Sequence, residues 1–104
     1  MTTFEHFAEL FKNRSETAKE LVYDAERAVG TPSEWYALVQ ELIYEAEYAS
    51  ALAGRITRLF DDLTREDLLE WRFQEEKWTR IADDYKQRWR KAVDRWEISG
   101  VVYQ

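Results

Sequence analysis

The chain has 104 residues, 45% of them hydrophobic, 15% aromatic and 35% charged. That length suits one domain, and the apolar content separates it from disordered chains. Three glycines and one proline leave too few turns for a many-stranded sandwich or barrel. With no cysteine, there is no disulfide framework, thiolate metal site or cysteine nucleophile to consider. No apolar run reaches the ~18 residues of a membrane span, and the N-terminus lacks a signal peptide's basic start. These features lead us to expect a soluble, cytoplasmic protein. The formal charge of -6 argues against binding by blanketing phosphates.

Capping signals divide the chain into three helices, near 3–29, 32–63 and 65–98. Thr2 with Glu5 marks the first start. Helix 1 presents Phe4, Phe7, Phe11, Ala18, Leu21, Val22, Ala25 and Val29 on one side. Asn13, Arg14 and Ser15 interrupt that stripe and mark where a kink would fall, although a continuous helix is the expectation. Gly30 can end helix 1 in a left-handed conformation. Thr31, Pro32 and Glu34 supply an N-cap, a first-position proline and an acidic third residue for helix 2.

Helix 2 aligns Trp35, Leu38, Val39, Leu42, Ala46, Ala49, Ala53, Ile56, Phe60 and Leu63, with spacings that follow a helical period. Thr64 and Asp67 form a third capping pair, and Gly100 can close helix 3. Trp71, Trp78, Trp89 and Trp96 are spaced by about two, three and two helical turns, so their indoles share a face. Leu68, Ala82, Tyr85 and Val93 fill the same stripe. Short connections make neighbouring helices antiparallel. The fold expected is all-α: an elongated up-down-up three-helix bundle in one domain, 1–104, with helix 2 alanines set against helix 3 tryptophans.

The chemistry of an enzyme is hard to assemble from these residues. His6 is the sole histidine and falls on the outward side of helix 1. A two-histidine metal site needs a second histidine, and Ser15, Ser33, Ser50 and Ser99 have no histidine to activate them. The acidic pairs Glu66–Asp67, Glu75–Glu76 and Asp83–Asp84 point about 100° apart on a helix and do not converge on one ligand. No phosphate-binding glycine loop is present. A non-enzymatic protein without metal or cofactor is the expectation.

Charge is unevenly placed. Residues 3–29 hold six acids against four bases, residues 32–63 six against two, and residues 64–104 nine of each. From 32 to 54 there is no basic residue, whereas Lys86, Arg88, Arg90, Lys91 and Arg95 crowd the end of helix 3. In an up-down-up bundle these segments lie side by side, and bases near a helix C-terminus complement its dipole. That accounts for the basic run without direct nucleic-acid contact.

Two features exceed what a bundle core needs. Tyr44 and Tyr48 sit one turn apart, away from the helix 2 stripe, among Glu41, Glu45 and Glu47, with Tyr36 nearer the edge. Leu69 and Phe73 are likewise one turn apart, off the tryptophan stripe. Exposed aromatics at helical spacing have the makings of interface anchors. The leading expectation is an acidic helical module whose Tyr–Glu face docks on a basic protein surface. That surface would be a groove for nucleic acid, blocked in the style of phage and mobile-element inhibitors of host defence. The alternative is a self-associating homodimer using Leu69 and Phe73 or the tyrosines.

Overall fold

The computed structural model describes residues 2–27 and 32–98, side chains of 32 and 96–98 excepted. They form α1 (Thr3–Glu26), α2 (Pro32–Leu59) and α3 (Arg65–Ile98). The described residues are an all-α three-helix bundle, 55 × 21 × 19 Å across its Cα atoms. Thr2 Oγ1 accepts from the Glu5 N–H at 3.1 Å, and Thr64 Oγ1 from the Asp67 N–H at 3.1 Å. Each such cap contributes about 1 kcal/mol. The expected roles of Val29, Gly30, Thr31 and Gly100, and the burial of Trp96, lie outside the described residues.

Helix α1 runs unbroken through residues 13–15. Ser15 is small enough to be buried there, and its Oγ donates to the Lys12 carbonyl at 3.1 Å. Thr17 Oγ1 likewise donates to the Asn13 carbonyl at 3.0 Å. These hydroxyls bond back into the helix, so the polar interruption introduces no break. Helix α2 ends at Leu59, before the expected 63. Phe60 leaves the helix and sets its ring edge-on to Phe4 and Phe7, centroids 5.3 and 6.2 Å away.

The core runs along α2, where Val39, Leu42, Ala46, Ala49, Ala53 and Ile56 are fully buried. From α3, Trp78, Ala82 and Tyr85 join this buried set, and from α1 Phe11, Ala18, Leu21 and Ala25. Large side chains against alanines allow close helix approach at native density. Ser50 fixes the α2–α3 register, donating to the Glu75 carbonyl at 3.2 Å and sharing a 2.6 Å bond with Thr79 Oγ1.

Both outer helices pack on α2, but no α1 Cα lies within 8 Å of an α3 Cα. Long side chains close that seam: Phe11 meets Trp71 at 5.1 Å between ring centroids, and Phe4 meets it at 6.4 Å. At the other end, Glu26 accepts from the Tyr85 hydroxyl and from Arg88 Nη1, the latter at 2.6 Å.

Candidate functional site

The eight residues expected to bind a partner separate into distinct environments. Tyr36 is buried, with its ring edge-on to Trp89 at 5.3 Å. It faces α3 and belongs to the core. Glu45 is only 6% exposed. Both of its oxygens accept from Arg14 Nη1, at 3.2 and 3.4 Å. The same guanidinium lies 4.7 Å above the Tyr48 ring, and Tyr48 packs against the core. Neither Tyr36 nor Glu45 presents the free surface that their sequence position suggested. The reason is that α2 has neighbours on two sides, which widens its buried arc beyond the apolar stripe.

Glu47 turns toward α3 and accepts from Lys86 Nζ at 2.9 Å. This is the contact expected between the basic end of α3 and the acidic part of α2, and it raises the Lys86 pKa. Arg88 departs from that expectation. It reaches α1 instead, bonding Glu26 and approaching Asp84 at 3.3 Å.

Exposed side chains remain on two separate faces. On α2, Tyr44 is 60% exposed and meets Tyr48 edge-on at 6.1 Å, with Glu41 exposed one turn earlier. On α3, Leu69 and Phe73 are 55% and 58% exposed. They stand on the side of α3 away from Trp71 and Trp78, with more than half of each open to solvent. Tyr23 and Leu59, which helical spacing does not single out, are equally exposed. Tyr23 follows no second apolar residue on its face, and Leu59 was assigned to a longer helix.

Titration behaviour centres on the α1–α3 seam. Hydrogen bonds from Tyr85 and Arg88 hold the Glu26 carboxyl below the usual carboxylate range. Burial, followed by Glu26, pushes the Tyr85 hydroxyl up to about 12. The Glu26 contribution is present above its unfolded pKa near 4.5 and fades as pH falls through the lower folded value. The Tyr85 contribution is present below about 10 and fades as pH rises beyond it. Glu26→Gln should therefore melt below wild type at pH 7, by no more than ~1 kcal/mol for so exposed a group. The difference should shrink as the melts are taken from pH 7 into acid and Glu26 becomes protonated in the folded state; a gap constant with pH would contradict the assignment.

His6 is exposed beside Phe7. Among the described residues, no three His, Cys, Asp or Glu side chains gather where they would hold a metal ion. No helix among them is long and apolar enough to cross a membrane. What the arrangement offers is contact surface: one supported tyrosine on α2 and one apolar pair on α3. Set against family models, curated proteins and solved structures, the chain has no match.

Proposed function

We propose that the chain is a non-enzymatic interaction protein that docks the outer face of α2 into a basic groove on a larger protein. Tyr44 is the anchor, and its support on Tyr48 carries the reading. Tyr48 is held from behind by Arg14, so Tyr44 presents a large ring with little freedom to lose on binding. Glu41 and the net charge of -6 favour a partner rich in lysine or arginine, steering it into encounter.

A basic groove that ordinarily holds nucleic acid fits this description, which makes the chain a blocker in the manner of mobile-element inhibitors of host defence. The blocking does not depend on imitating a phosphate ladder. A duplex of the same 55 Å length carries roughly 32 charges, against 21 acidic residues in the whole chain. Anchored contact is the better match to the side chains present.

The test uses wild type and Tyr44→Ala as paired baits for capture from the native host, then measures both against the captured protein. Tyr44→Ala should weaken binding by about 2 kcal/mol or more, the range of a hot spot. Its melting temperature should stay close to wild type, as surface changes usually cost under ~0.5 kcal/mol. Glu41→Lys should chiefly slow association and flatten its salt dependence. Undiminished binding by Tyr44→Ala removes the α2 face from consideration.

A further inference from the structure

We infer that the outward face of α3 is a self-docking surface whose occupant is a second copy of this chain, paired antiparallel about a two-fold axis. The inference does not depend on the α2 reading, because it uses a different helix and a different partner. Its basis is the charge order along one stripe of α3. Residues 66, 70, 73, 77, 80, 84, 88, 91 and 95 recur at three- and four-residue intervals and so share a side of the helix. All are exposed except half-buried Lys77. Read in order, the stripe begins with Glu66 and Glu70, carries Phe73 and Lys77, passes Arg80 and Asp84, and ends with Arg88, Lys91 and Arg95.

Apart from Arg80, which meets its own copy at the axis, that sequence of charges is complementary to itself reversed. A two-fold axis level with Arg80 and Ile81 brings Glu66 opposite Arg95 of the second copy and Glu70 opposite Lys91. The same register brings Lys77 opposite Asp84. Symmetry makes every pair twice, as an isologous interface requires. Phe73, 58% exposed, comes opposite Arg88, whose guanidinium is oriented by Glu26 and Asp84 and lies 4.8 Å over the chain's own Tyr85 ring, so the second copy's ring takes its other side. Ring over guanidinium is a favourable stack. Lys91 and Arg95 have no ion-pair partner among the described residues, nor have Glu66 and Glu70. Pairing two copies supplies one to each. A parallel arrangement in register would instead set acid against acid and base against base.

Isolated surface pairs are each weak, so the dimer should be salt-sensitive and depend on the whole stripe. Sedimentation equilibrium at low salt should give twice the 12.5 kDa of one chain at high concentration, reverting to one chain as salt rises. Glu70→Lys and Lys91→Glu should each weaken self-association at least tenfold, because each homodimer then carries two repelling pairs. Mixed in equal amounts, the two variants should recover a dimer, since the altered lysine of one meets the altered glutamate of the other. Phe73→Ala should weaken the wild-type dimer comparably. A wild-type chain that stays monomeric overturns the inference. So do variants that dimerise as well as wild type alone, or that stay monomeric when mixed.

Discussion

Trp78→Ala should lower the stability of the bundle by about 3–5 kcal/mol, the range for truncating a large aromatic in a core. Trp78 is 1% exposed, the largest of the fully buried side chains. It belongs to the same buried set as Leu42, Ala46, Ala49 and Ala53. Those alanines cannot extend into the space an indole leaves, so the cavity stays open. A domain of this size holds only about 5–15 kcal/mol in total. Each lost kcal/mol lowers the melting temperature by roughly 4–8 °C, so the variant should be close to unfolding at 37 °C. Trp78→Phe should cost much less than alanine. The indole N–H has no hydrogen-bond partner among the described residues, and removing a buried unpaired donor offsets part of the lost contact. Trp71→Ala and Trp89→Ala should fall below Trp78→Ala, since both rings are only half-buried. Thermal melts of the four variants decide the matter. A Trp78→Ala protein that melts within a few degrees of wild type would mean the core does not close around that ring.

The order of these effects shows where the sequence was sufficient and where it was not. The apolar period of α2 located Val39, Leu42, Ala46, Ala49, Ala53 and Ile56, all fully buried. The two- and three-turn spacing of tryptophans placed Trp71, Trp78 and Trp89 on the inward side of α3. It carried no information on depth, because depth depends on which other helix covers each level. The capping hydroxyls at Thr2 and Thr64 were legible because a cap is a contact between near neighbours. Long-range polar contacts left weaker traces. Arg14 stood out only as a break in the α1 stripe, and Glu45 only as one of several acids on α2. Nothing in the spacing joins them, since their meeting depends on the tertiary register of two antiparallel helices. The same holds for Glu26, which the sequence presented as a helix-terminal acid and the fold made the clasp of the α1–α3 seam. Tyr44, Leu69 and Phe73 were legible as side chains the core did not need. What any of them would touch in a complex depends on the other molecule's surface, which no helical period encodes.

Arg14→Ala should be the most damaging change among the charged residues, at roughly 3 kcal/mol. Removing one partner of a buried ion pair typically costs about 3–5 kcal/mol, because the remaining charge is left without compensation. The lower end applies here, since Glu45 is buried but Arg14 is reached by solvent. The substitution also removes the guanidinium from the Tyr48 ring, a contact worth up to about 1 kcal/mol at such a site. Replacing both charges, as Arg14→Met with Glu45→Met, should recover most of the loss. Two apolar side chains of similar volume often serve as well as the pair they replace. Urea unfolding of both single variants and the double measures the coupling directly. An Arg14→Ala protein within ~0.5 kcal/mol of wild type would show that water already compensates Glu45. The double variant also bears on docking. It keeps the fold while freeing Tyr48 from the cation behind it, so Tyr44 loses the support that makes it a rigid anchor. If the α2 face binds as proposed, the Met/Met protein should be stable and yet bind more weakly than wild type. Unchanged affinity in that background would place the anchoring in Tyr44 alone, independent of the cluster beneath it.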